Sequence, residues 1–100
     1  MSLGLEKPLI DVVLFTKSDC HLCDEARAVL DEASSLFKLN IRTKDIGSRT
    51  EWMNLYGEEV PVVFINGKKS FKFRIPPEDL KQKLLRLEMS LIRSGARQSD

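Results

Sequence analysis

Phe15-Thr16-Lys17-Ser18-Asp19-Cys20-His21-Leu22-Cys23 is the stretch on which the fold turns. Just upstream, Ile10 to Thr16 is a nearly continuous apolar, β-branched run, the pattern of a strand covered on both faces. Lys17-Ser18-Asp19 breaks that run. Downstream, Leu22, Ala26, Val29, Leu30, Ala33 and Phe37 recur at helical spacing, while Asp24, Glu25, Arg27, Asp31 and Glu32 fall mostly off that stripe. The two cysteines of the chain therefore sit where a buried strand hands over to an amphipathic helix.

Working outward, Leu39 to Asp45 alternates apolar with polar residues, as a strand with one wet face does. Ser48 and Glu51 form a capping-box pattern that predicts a short helix to about Tyr56, ended by Gly57. Val60 to Ile65 reads as another buried strand, and Asn66-Gly67 as a tight hairpin turn. Phe71, Phe73 and Ile75 alternate on the predicted return strand. Pro76-Pro77-Glu78 opens a last helix, with Leu80, Leu84, Leu87 and Leu91 as its apolar stripe. Gly95 is its expected stop, with a frayed tail beyond. The order strand, helix, strand, helix, strand, strand, helix predicts an α/β fold: a four-stranded mixed sheet (βαβαββα) flanked by three helices. At 100 residues the chain is read as one domain, with a core from about 10 to 93 and flexible ends at 1–7 and 95–100.

Composition removes several classes of function. The formal charge is +1, so no global field draws the chain onto nucleic acid or an anionic membrane. No apolar run approaches the roughly 18 residues of a membrane span. No export signal is visible at the start, which points to the cytoplasm. Lys68, Lys69, Lys72 and Arg74 on the hairpin, and Lys81, Lys83, Arg86 and Arg93 on the last helix, read as solvated faces. No phosphate loop, carboxylate pair or serine triad is present. Trp52 and Tyr56, four apart, read as packing residues.

The chemistry rests on Cys20 and Cys23. A thiol attacks as its thiolate, and an ordinary cysteine with a pKa near 8.5 is only about 3% ionised at pH 7. The amino end of a helix offers unpaired amide donors and the positive end of its dipole, both of which favour the anion. Lys17 adds to this, as does His21 when protonated; Asp19, Asp24 and Glu25 oppose it. A two-residue spacer lets the second sulfur reach the first. Cys20, earlier and at the tip, is the expected attacking group, and Cys23, one turn inside, the resolving group. Three other readings stand beside this one. The pair can be ordinary buried cysteines. A zinc site within the chain lacks ligands, since only Cys20, Cys23 and His21 are on offer where about four are needed. An iron–sulfur cluster shared by two chains needs a dimer.

These residues resemble the thioredoxin superfamily, and more closely glutaredoxins and small glutaredoxin-like proteins. The resemblance covers roughly residues 10 to 93 and rests on two stretches: Phe15 to Cys23, and Val60-Pro61-Val62-Val63-Phe64-Ile65-Asn66-Gly67. It implies that Cys20 is the nucleophile and Cys23 the resolving thiol. It implies that Pro61 is cis and faces them, and that the Val60 backbone pairs with an extended substrate. Lys17 lies near the thiolate, and the spacer residues His21 and Leu22 border the substrate. The activity implied is thiol–disulfide exchange on a protein or small-molecule disulfide, by a monomer with no bound cofactor, reset by glutathione or a thioredoxin-reductase-like donor. Two departures stand out. His21-Leu22 replaces the usual Pro-Tyr spacer. Arg74-Ile75-Pro76-Pro77-Glu78-Asp79 replaces the Gly-Gly and acidic residue that hold glutathione, so the fold and the dithiol chemistry carry over better than the glutathione partner does. A non-catalytic adaptor, binding an extended peptide beside Pro61, is the competing function.

Overall fold

The β-branched run near the start of the chain becomes one of the two interior strands of the sheet. In a computed structural model, which describes residues 7–98 and side-chain environments to residue 93, β1 spans Ile10–Thr16, α1 His21–Ala33 and β2 Leu39–Asp45. A 3-10 turn at Ile46–Ser48 leads into α2, Thr50–Tyr56; β3 is Val62–Ile65, β4 Lys68–Lys72 and α3 Pro77–Gln98. The sheet order is β2-β1-β3-β4, with β1 parallel to β2 and antiparallel to β3, and β3 antiparallel to β4. The expected architecture is thus the observed one.

Alternation along β1 and β3 divides the interior into two cores. Ile10, Val12, Leu14, Val63 and Ile65 face one side, where Ala26 and Leu30 of α1 and Leu80 and Leu84 of α3 close over them. Phe15 and Val62 face the other side with Ile46, against Trp52 and Tyr56 of α2. Here Phe15 stacks on Tyr56 with centroids 4.6 Å apart and meets Trp52 edge-on at 5.3 Å. The packing role read for Trp52 and Tyr56 is the one they fill.

Four boundaries differ from expectation. Ser48 does not cap α2. Its hydroxyl donates to the Asp45 carbonyl within the 3-10 turn, and Arg49 precedes α2 without a side-chain cap bond. β3 begins at Val62 rather than Val60, because Pro61 has no N–H for a ladder. β4 ends at Lys72: a bulge at Ser70 shifts the register, and Phe73 leaves the strand with φ 70°. Gly95 does not stop α3, which continues to Gln98. A helix-interior glycine costs only about 1 kcal/mol against alanine, too little to end a helix of strong formers. Of the ends expected to be flexible, residues 1–6 and 99–100 lie outside the described residues.

Candidate active site

The cysteine loop is built by a reversal after β1. Asp19 adopts the left-handed conformation (φ 57°), which aspartate tolerates better than most residues. That turn delivers Cys20 in extended geometry (φ −110°, ψ 104°) as the residue capping α1. The Cys20 sulfur accepts the Cys23 backbone N–H at 3.1 Å, so it takes the place of the oxygen of a conventional cap. The Cys20 carbonyl accepts from the amides of Cys23 (3.1 Å) and Asp24 (3.3 Å). Cys20 and Cys23 are joined as a disulfide, with Cα atoms 5.2 Å apart. Cys23 is 3% exposed, whereas Cys20 is partly exposed. Cys20 is the more exposed residue of the pair.

The second half of the site comes from the turn before β3. Phe15 pairs with Val62, so Pro61 lies at the same end of the sheet as the cysteine loop. The Val60–Pro61 bond is cis, and Pro61 is fully buried. The Val60 amide donates to the Tyr56 carbonyl at 3.1 Å. The Phe73 amide donates to both the Pro61 carbonyl (2.9 Å) and the Glu59 carbonyl (3.2 Å). The Glu59 carboxylate meets Lys69 at 2.6 Å and Lys72 at 3.7 Å. Its hydrogen bond to Lys69, helped by the charges of Lys69 and Lys72, holds the Glu59 carboxyl below the usual glutamate range. Glu59 and Phe73 thus clamp the Pro61 turn to the end of β4.

The predicted site residues are not all drawn together. Cys20 and Cys23 meet, and Pro61 shares their end of the sheet with Val60 beside it. Lys17 is exposed and, among the described residues, forms no ion pair. His21 is also exposed and points Nε2 at Glu25 Oε2, 3.1 Å away, one helical turn further on. Leu22 turns into a groove against Phe73 and Ile75. Glu59 and Phe73 were invisible in the sequence: Phe73 fits a strand alternation, and nothing local marks Glu59 as a tether. Among the described residues, no group of three or more His, Cys, Asp or Glu side chains is placed to hold a metal ion. No helix among them is long and apolar enough to cross a membrane.

A cysteine pair at the amino end of the first helix, on this strand order and with a cis-proline turn at the same sheet end, defines a thioredoxin-fold protein with a redox-type site. Residues 11–85 match the Glutaredoxin-like domain (DUF836), and the chain belongs to that family. Solved structures share the fold. A structural-genomics target protein from X. campestris is 25% identical, with a TM-score of 0.64, over 73% of this chain and 93% of its own. The protein Ne2328 from Nitrosomonas europaea is 22% identical with a TM-score of 0.66, over 75% of this chain and 91% of that one. A mutant thioredoxin from Halobacterium salinarum is 14% identical with a TM-score of 0.61, over 79% and 74%.

Proposed function

We propose that this chain is a thiol–disulfide oxidoreductase. In the reduced protein, the Cys20 thiolate attacks one sulfur of a substrate disulfide. A Cys20–substrate disulfide forms as the substrate's own S–S bond breaks, and the departing thiolate takes up a proton. The Cys23 thiol then loses its proton and attacks Cys20, which expels the second substrate thiolate and leaves the Cys20–Cys23 disulfide. Two electrons pass to the substrate. Glutathione or a thioredoxin-reductase-like donor returns them, as suits a protein of the reducing cytoplasm.

One observation carries this reading: the two sulfurs are bonded at the amino end of α1, with Cys23 buried and Cys20 within reach of solvent. Burial protects the resolving sulfur from outside partners, and partial exposure lets the leading one meet them. The α1 terminus supports the thiolate through its free amides and dipole. The test is the alkylation rate of Cys20 in the reduced protein as a function of pH. A midpoint well below about 8.5 is expected. An unshifted or unreactive thiol would overturn the catalytic reading and favour a peptide-binding module instead.

A further inference from the structure

Beside the cysteine pair runs an apolar groove that the exchange chemistry leaves unused. Leu22, Ala26 and Val29 of α1 form one wall; Phe73, Ile75 and Pro76, on the segment between β4 and α3, form the other, around a volume of about 410 Å³. A smaller hollow of about 180 Å³ continues it along α1, sharing Val29 and Pro77. Phe73 is 45% exposed at the mouth, an aromatic held out rather than folded in.

The groove is poorly made for glutathione. That tripeptide carries two carboxylates and one ammonium, has no large apolar side chain, and is best held by backbone amides and cations. Here the Phe73 amide is already occupied by two carbonyls. Pro76 and Pro77 have no N–H to give. The charged residues lining the groove are one of each sign, Glu25 and Arg74, with Lys72 5.5 Å from the Phe73 ring centroid. An apolar lining with balanced charge and few free backbone donors suits an uncharged peptide segment that buries a large apolar side chain.

We infer that this groove selects protein disulfides whose reacting cysteine has a large apolar residue within about four positions, and that it disfavours glutathione. The distance follows from helix and strand geometry. From Cys20 to Val29 the helix advances about 13 Å at 1.5 Å per residue, which an extended chain covers in about four residues. The inference rests on the oxidoreductase reading, because it names the substrate of that same site.

The experiment uses the reduced full chain and three substrates. The first is a disulfide-linked peptide with leucine three positions from its cysteine; the second is the same peptide with serine there; the third is the serine peptide's cysteine joined to glutathione. The leucine peptide is expected to be reduced about tenfold faster than either of the others. A preference below threefold, or faster reduction of the glutathione adduct, would overturn the inference. A binding arm separates this from the chemistry. Cysteine-free versions of the two peptides are titrated into the oxidised protein, and backbone amide shifts are followed by NMR. Saturable shifts at Ala26, Val29 and Ile75 with the leucine peptide alone are expected, and their absence would also overturn the inference. If none of the three disulfides is reduced, the oxidoreductase reading falls, and the binding arm alone decides whether the groove selects apolar segments.

Discussion

At one end of the sheet the chain turns from β3 to β4 through Asn66 and Gly67, both left-handed, with φ of 49° and 81°. At the other end it leaves β4 through Phe73, left-handed as well at 70°. The first turn uses residues that adopt this conformation at little cost. It is pinned further by Asn66, whose Oδ1 accepts the Asp11 amide at 2.9 Å and whose amide donates to the Asp11 carbonyl at 2.8 Å. The second places a bulky aromatic in a region that costs such residues on the order of 1–3 kcal/mol. Two carbonyls, those of Pro61 and Glu59, hold it there. The hairpin end follows local preference because it has only to connect. The cysteine end departs from it, and the departure puts an aromatic ring at the mouth of the groove.

The comparison predicts that substitutions at the two ends differ in kind. Cys20→Ser is expected to lower disulfide reduction by roughly 10³-fold or more while leaving the melting temperature of the reduced protein within a degree or two. Cys23→Ser should instead accumulate the mixed disulfide, seen as added mass in intact-protein mass spectrometry. Full activity in Cys20→Ser would end the contrast at once. Leu84→Ala, in the core that both ends share, should cost about 2–5 kcal/mol in denaturant unfolding and loosen both ends alike. Gly67→Ala, with open space around it but φ of 81°, should cost about 1 kcal/mol and leave the exchange rate unchanged. Phe73→Gly should do the reverse, with stability rising by about 1 kcal/mol and the preference for apolar peptides falling. A loss of stability in Phe73→Gly would show that the ring contributes more packing than its backbone strain costs. The smallest effect concerns Glu59. Its carboxyl is held below the ordinary range in the folded state, so its contribution is complete above the unfolded value and disappears as pH falls through the folded one. Glu59→Gln should therefore lower stability slightly at neutral pH, leave the low-pH end unchanged, and so flatten the acid side of the stability–pH curve.

The legibility of the chain follows the same division. Buried strands, the α1 stripe and the Asn66-Gly67 turn were readable because each is a local pattern whose tertiary use agrees with its propensity. The cysteine pair was readable because its position after a buried strand is itself a local fact. The clamp of Glu59 and Phe73 was not, since it joins a loop to a strand end through backbone carbonyls that no side-chain pattern records. The Ser48 pattern does not cap α2 because Ser48 is drawn into a 3-10 turn that Asp45 caps: the Asp45 Oδ1 accepts the Gly47 amide at 2.8 Å, and its carbonyl accepts the Ser48 hydroxyl. His21 adjoins Cys20 in the spacer, and its ring engages Glu25 on the next turn. That pairing follows the i, i+4 rule and is legible in the sequence.

The lone position of α2 has a consequence for how the molecule breathes. This helix is short, has no side-chain cap bond and contains no fully buried residue, while α1 and α3 both bury side chains in the larger core on the opposite face. Amide protons of α2 should therefore trade with deuterated solvent well before those of β1. The protein should lift this one flap, uncovering Phe15 and Phe64, while the scaffold beneath the sulfurs stays shut.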